Sequence, residues 1–315
     1  MEGAIIMLLR LYSFLVLCWD LVYVIVGCLW AIFESFFQFI KPPKEKPVDG
    51  EIVLIAGAGR GIGKELAIQF AALGAKVVCW DINEEANKCT VKEIANLEVG
   101  SRQAYAYTCD VADREQVMKT GALVRKEVGD VTILVHCCGV PSPRSLVSKP
   151  APEIRKTMDV SIMSHFWILE VFLPRMLELN SGHIVALTSV AGLSGIKDQV
   201  PLCASQFAVQ GLVEALSEEL RATKASNDIH LTLVHIYPFI VSSDLARDIR
   251  LRIPSYFGTI DPRDAAQQII SGMRRNYSEI SVPGYLLYFG NILRILPRKA
   301  SVMLRELLDA GVDFG

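Results

Sequence analysis

The passage EIVLIAGAGRGIGKELAIQFAALG, residues 51–74, restricts the fold of this chain more than any other stretch. A short apolar run with the composition of a buried strand leads straight into a glycine-rich turn and then into a helical pattern. Gly57, Gly61 and Gly63 occupy that turn, with Ile62 between the last two. Glycine is required there because the backbone must turn tightly and approach a pyrophosphate closely, while the free amides at the helix start hold negative charge. The next apolar run, VVCW, ends on Asp81. A carboxylate at that place accepts hydrogen bonds from both ribose hydroxyls of a dinucleotide and repels a 2′-phosphate, which favours NAD(H) over NADP(H). Arg60 in the turn offsets part of that repulsion, and the competing reading makes Asp81 an ordinary turn residue.

Ile52–Ala56, Lys76–Trp80, Val131–His136, His183–Leu187 and His230–Ile236 read as buried strands separated by amphipathic helical stretches. This alternation predicts an α/β fold, a Rossmann-like doubly wound parallel sheet with helices on both faces. The mean hydropathy of +0.35 is high for such a domain. Its source is LYSFLVLCWDLVYVIVGCLWAIF, residues 11–33, almost wholly apolar and long enough as a helix to cross a hydrocarbon layer of about 30 Å. Asp20 opposes insertion by about 2.5–3.5 kcal/mol, but each Leu, Ile, Val or Phe returns about 0.3–0.6, so insertion wins. Glu2 and the length of the run argue against a cleaved signal peptide. A spanning helix, and a hairpin or tilted helix in one leaflet, are both open, because Asp20 and Glu34 cost less near an interface.

The division expected from these features is an anchor over 1–40, a stiff basic linker KPPKEKPVDG over 41–50, the main domain over 51–280, and an apolar tail over 281–315. Lysines after the apolar run place the main domain in the cytosol. The tail, with VPGYLLYFGNILRILP, reads equally as a lid over a pocket, a membrane contact or a packed terminal helix. A net charge of −2 supplies no basic surface of the kind that neutralises nucleic-acid phosphates. The eight cysteines show no C-x-x-C pair and no clustered histidines, which reads as reduced thiols without a metal site.

The spacing G-x-x-x-G-x-G resembles the short-chain dehydrogenase/reductase family. The resemblance continues through Cys109-Asp110-Val111, GDVTILVHCCG, LPRMLELNSGHIVALTSVAG and PLCASQFAVQGLVEALSEEL, in the family's order from about Glu51 to Phe239. The apolar N-terminal run, the WDIN after the second strand and HFW at 165–167 are similar to its membrane-anchored branch. That branch holds the lipid-droplet 17-beta-hydroxysteroid dehydrogenases and the epidermal retinol dehydrogenases. The resemblance implies cofactor contacts from Gly57, Gly61, Ile62, Gly63, Asp81, Asp110, Val111, Gly139, Gln206, Pro238 and Val241.

It also implies a catalytic set, which this chain has largely lost. In the family a tyrosine moves the hydroxyl proton, a lysine four residues on lowers its pKa and holds the ribose, a serine steadies the substrate oxygen, and an asparagine completes the site. The matching positions here hold Leu202, Gln206, Ser189 and Ser161, so only Ser189 is retained. The family's N-N-A-G has become His136-Cys137-Cys138-Gly139, and Ser243 stands for a threonine. No tyrosine lies between Tyr107 and Tyr237 to take over. Tyr237 reads better as a strand-end core residue, and His136 as a structural histidine. The expected function is an NAD(H)-binding, membrane- or lipid-droplet-attached homologue at the endoplasmic reticulum, catalytically impaired or inactive. The alternative is an active oxidoreductase of a lipophilic alcohol or ketone through a rearranged proton relay. Phe207, Leu212, Leu216 and Leu220 at helical spacing suggest a homodimer face.

Overall fold

The computed structural model describes residues 2–97, 103–140, 144–223, 228–236, 248–250, 260–284, 286–308 and 311–313. Two compact units separate, Met1–Glu45 and Lys46–Gly315. The first contains helix α1, Glu2–Ile40, whose 39 residues extend about 58 Å at the usual rise per residue. Within Ile5–Gln38 an 18-residue window has a mean hydropathy of 2.3 and none of that window is buried. Leu, Ile, Val and aromatic side chains are exposed on all its sides, a pattern that suggests membrane association. It runs unbroken, so the hairpin alternative has no bend at which to turn.

The second unit is built on seven parallel strands: β1 Ile52–Ala56, β2 Lys76–Asp81, β3 Ala104–Thr108, β4 Ile133–His136, β5 Gly182–Ser189, β6 Ile229–Ile236 and β7 Glu279–Val282. Their order is 3-2-1-4-5-6-7, with the reversal between β1 and β4 that creates a crevice at the strand ends. A separate short antiparallel pair joins Asp248–Arg250 to Gly311–Asp313.

Helices α2 Gly61–Ala72 and α3 Glu84–Ala95 pack on one face of the sheet, and α4 Arg114–Glu127 on the other. On that second face, α5 Ala151–Met158 continues through a π-turn, Asp159–Met163, into α6 Ser164–Leu179, and α7 Val200–Ala222 lies beside it. Helix α8, Pro262–Arg274, returns to the first face, and α9 Leu286–Ile295 and α10 Arg298–Leu308 follow β7. Leu66, Phe70, Ile94, Ile269 and Met273 fill the first layer, while Val117, Ile168, Phe172 and Met176 fill the second. Segment Ala151–Leu179 is apolar enough to span a bilayer, but 44% of its most apolar 18-residue window is buried in this packing, as in a core helix.

The five anticipated strands are present with shifted ends, and two further strands join them. β3 reads AYAYT and buries little, so it offers no apolar run to detect. β7 reads EISV and buries only Ser281 and Val282 of its four residues. Both lie at sheet edges, where one side needs no apolar cover. The stripe expected to form a dimer face is partly engaged within the domain. Leu220 is buried, Leu212 and Leu216 pack against core clusters, and only Phe207 stays exposed.

The second unit begins inside the stretch read as a linker. The Lys46 amide donates to the Arg274 carbonyl at 2.7 Å, and Arg274 Nε donates back to the Lys46 carbonyl at 2.8 Å. Val48 is 2% exposed within the core. Lys46 Nζ donates to His183 Nδ1 at 2.9 Å; His183 Nε2 then donates to Thr232 Oγ1, which donates to the Tyr277 carbonyl. Burial lowers the His183 pKa to about 2, aided by the Lys46 charge, so the ring stays neutral and free to accept from the ammonium.

Candidate active site

The glycine turn joins β1 to α2 at the crevice where the strand order reverses. Its glycines answer two demands. Gly57 at φ +89° and Gly61 at φ +56° lie in the left-handed region that side chains avoid. At Gly63 the demand is space, since a Cβ would stand 1.9 Å from the Gly57 carbonyl oxygen. Ile62 is half-buried and packs on the first core layer. Sequence reasoning passed over Gly59, where a Cβ would come 2.7 Å from Asp81 Oδ2. The only signal was one more glycine in an already glycine-rich loop.

Asp81, the last residue of β2, accepts from the Gly59 amide through Oδ2 and from the Asn83 amide through Oδ1, each at 2.8 Å. A carboxylate has about four acceptor positions, so both oxygens keep capacity for ribose hydroxyls. Asp110 follows β3 and binds the Ala112 amide through Oδ1 at 3.0 Å, and Val111 beside it is buried. Gly139 is exposed beyond β4 with open space around its Cα, while Cys138 Sγ would lie 3.2 Å from a Cβ on Gly57. This end of the crevice is a floor of bare backbone and helix-start amides with the Asp81 carboxylate beside it. These residues fit the adenosine and pyrophosphate half of a dinucleotide.

The positions expected to match the family's catalytic set lie at the ends of β5 and α7 and in the π-turn. Ser189 ends β5 and its Oγ accepts from the Ala191 amide at 3.1 Å, leaving its own proton free to donate. Leu202 is half-buried in the first turns of α7. Gln206, one turn on, is 6% exposed and its Oε1 accepts from Thr188 Oγ1 at 2.9 Å. This bond draws the amide down onto β5. Gly192 lets α7 come close, since a Cβ there would sit 2.9 Å from the Gln206 carbonyl. Ser161 is fully buried in the π-turn and accepts from the Val140 amide at 3.3 Å. Such turns recur at functional sites because they redirect side chains within a helix. Tyr237, Pro238, Val241 and Ser243 lie outside the described residues.

His136 points into the layer beneath α6. Its Nε2 donates to Ser164 Oγ at 2.7 Å, because the serine proton goes to the Val160 carbonyl, and its ring stacks on His165 with centroids 3.6 Å apart. Burial lowers the His136 pKa to about 3, and burial with the neighbouring ring lowers that of His165 as well. Burial pushes the Cys137 and Cys138 thiols up, so neither is a ready nucleophile. Among the described residues no cluster of His, Cys, Asp or Glu could hold a metal ion.

One pair escaped sequence reasoning. His235 on β6 is 0% exposed, its Nε2 meets Glu279 Oε1 at 2.7 Å, and its Nδ1 has no partner. It is the register neighbour of Thr188, so both side chains share the sheet face beneath α7. The 44 residues separating His235 from Glu279 hid this contact.

The short chain dehydrogenase family pattern matches residues 51–253. Epidermal retinol dehydrogenase 2 of Mus musculus is 37% identical over 281 residues, covering 89% of each chain. 17-beta-hydroxysteroid dehydrogenase 13 of Homo sapiens is 34% identical over 288 residues, 91% of this chain and 93% of that one. Among solved structures, a 7 alpha-hydroxysteroid dehydrogenase complexed with NADH and 7-oxo glycochenodeoxycholic acid superposes with a TM-score of 0.66 at 26% identity, covering 75% of this chain and 94% of that one. Sheet order, glycine turn and the match over most of the chain agree, and this protein belongs to the short chain dehydrogenase family, whose members use NAD or NADP.

Proposed function

We propose that this chain is a membrane-tethered, NAD(H)-binding member of its family that has lost most or all alcohol dehydrogenase activity and acts by holding nucleotide at a membrane or lipid-droplet surface. One observation carries the reading. The group at the tyrosine position is a leucine with no proton to move, and the group at the lysine position is a neutral amide bonded to Thr188. A bound nicotinamide supplies the hydride carrier, but the proton that must move with it has no donor at Leu202. Asp81 supports NAD(H), because a 2′-phosphate would face its carboxylate. Helix α1 supports attachment to the endoplasmic reticulum or a lipid droplet, with the main domain in the cytosol. Nucleic acid is not a partner in this reading.

The competing reading is an NAD-dependent oxidoreductase of a retinoid, steroid or other lipophilic alcohol. The names of the relatives support it, and so does the imidazole of His235, held by Glu279 at Nε2, unpartnered at Nδ1 and the register neighbour of Thr188.

Purified full-length protein should bind NADH in a fluorescence titration, yet give no cofactor reduction with NAD+ and retinoid, steroid or long-chain alcohol under single-turnover conditions. Leu202→Tyr with Gln206→Lys, and Ser161→Asn if needed, should raise the rate by about 100- to 10,000-fold, the usual span of general acid–base catalysis. Robust turnover by the unmodified protein, retained in Tyr237→Phe and His136→Asn but lost in His235→Asn, would overturn the proposal in favour of the competing reading.

A further inference from the structure

Helix α9 carries a row of large side chains that the domain leaves uncovered. Tyr288, Ile292 and Ile295 are 61%, 53% and 84% exposed. Their spacing of four and then three residues puts them on one helical face across two turns. On the opposite side Gly290 is buried against the domain. Single exposed apolar residues are ordinary, but an aligned row is not. Met303 on α10 adds a further exposed side chain at 61%.

The charge pattern says what covers this face. Between Glu279 and Glu306 the chain has no acidic residue, and it carries Arg294, Arg298, Lys299 and Arg305. The exposed Arg298 and Lys299 begin α10 immediately beyond the apolar row. An apolar helical face whose flanking sequence carries only basic charges suits an anionic bilayer, where rings and aliphatic chains enter the headgroup boundary and cations meet lipid phosphates.

We propose that the exposed face of α9, with the basic start of α10, docks on the surface of an anionic membrane as a contact separate from the α1 anchor. The inference rests on the membrane attachment proposed above. Tethering by α1 raises the local concentration of lipid at the domain, so a face too small to bind vesicles alone suffices. The contact also bears on access to the site. The Arg294 guanidinium lies 5.9 Å from the ring of Phe207 and its Nη1 donates to Gln210 Oε1, so α9 lies beside the helix that carries Leu202 and Gln206. Val200 and Phe207 are themselves exposed on that helix, which a lipophilic molecule leaving the bilayer beside α9 would meet on its way to the candidate site.

The test is site-specific photocrosslinking of the full chain in nanodiscs containing about 30% phosphatidylserine in phosphatidylcholine, an anionic surface of the kind that attracts basic segments. p-Benzoylphenylalanine is placed singly at Ile295, at Tyr288, at Leu123 on α4 as an exposed domain control, and at Val26 in α1 as the anchor control. Lipid adducts are expected at positions 295, 288 and 26 and not at 123. The yield at 295 should fall about tenfold or more in Arg298→Glu/Lys299→Glu, since each cation near an anionic surface is worth about fivefold. Adducts at 26 without adducts at 295 and 288 overturn this inference and leave the anchor standing. Absence of adducts at 26 overturns the anchor itself. Crosslinks from 295 to a second copy of the chain, or an adduct yield at 295 unchanged in pure phosphatidylcholine, also overturn it.

Discussion

Removing the strap at Lys46–Gly50 should unfold much of what removing the anchor leaves intact. A protein beginning at Glu45 keeps every contact of the strap, whereas one beginning at Glu51 loses them all. The side chain of Val48, 2% exposed, contributes about 2 kcal/mol through transfer and the cavity it leaves. Loss of Lys46 leaves His183 Nδ1 without its donor in a residue 1% exposed, an unsatisfied polar group costing about 1–3 kcal/mol. The two bonds between Lys46 and Arg274, and the one from the Gly50 amide to the Gly74 carbonyl, contribute about 1 kcal/mol each. The sum, about 6–8 kcal/mol, is a large share of the stability of an ordinary domain. At about 2–4 °C per kcal/mol for a domain of this size, the shorter protein should melt about 12–32 °C lower. Thermal denaturation of the two truncations by circular dichroism in one buffer measures this. In full-length protein, Val48→Ala and Lys46→Ala should each lower the midpoint by several degrees. Equal melting of the two truncations would show that the strap contributes nothing and refute the reasoning.

Gly63→Ala places a Cβ 1.9 Å from the Gly57 carbonyl, so it should abolish NADH binding and destabilise the domain by about 1–3 kcal/mol, whereas Gly139→Ala meets no atom within 4 Å and should leave stability unchanged; equal melting temperatures would count against the close-approach argument. Asp81→Ala should narrow the preference for NADH over NADPH in paired titrations, and equal affinities in the unmodified protein would show that Asp81 does not read the ribose. His136 and His183, with folded pKa values lowered to about 3 and about 2, bind fewer protons folded than unfolded. Stability should therefore hold above about pH 6.5 and fall as pH drops below it, by up to about 2 kcal/mol per histidine at pH 5, as urea denaturation across that range will measure. His183→Gln should flatten part of that slope.

The sequence alone determined the α/β class, because a strand running into Gly57, Gly61 and Gly63 and then a helix has few other solutions. It also determined the apolar character of α1, which depends on composition and length and on no other part of the chain. The absence of a proton donor at Leu202 and of a cation at Gln206 was legible as well, since side-chain chemistry is fixed before folding. What lay beyond it depends on partners distant in the chain. The edge strands AYAYT and EISV bury too little to signal themselves, and become strands because β2 and β6 supply ladder partners. The leucines of α7 rest on core clusters that strands and helices from distant parts of the chain build beneath them. Lys46 looked like linker charge until His183 and Arg274 closed on it from 137 and 228 residues away. Likewise, Gln206 is drawn to Thr188, and His235 meets Glu279, only through the register of adjacent strands and the close approach of α7. Local sequence states what a residue is able to do; tertiary packing decides which atoms it meets, and with that whether a carboxamide faces a cofactor or the floor of the sheet.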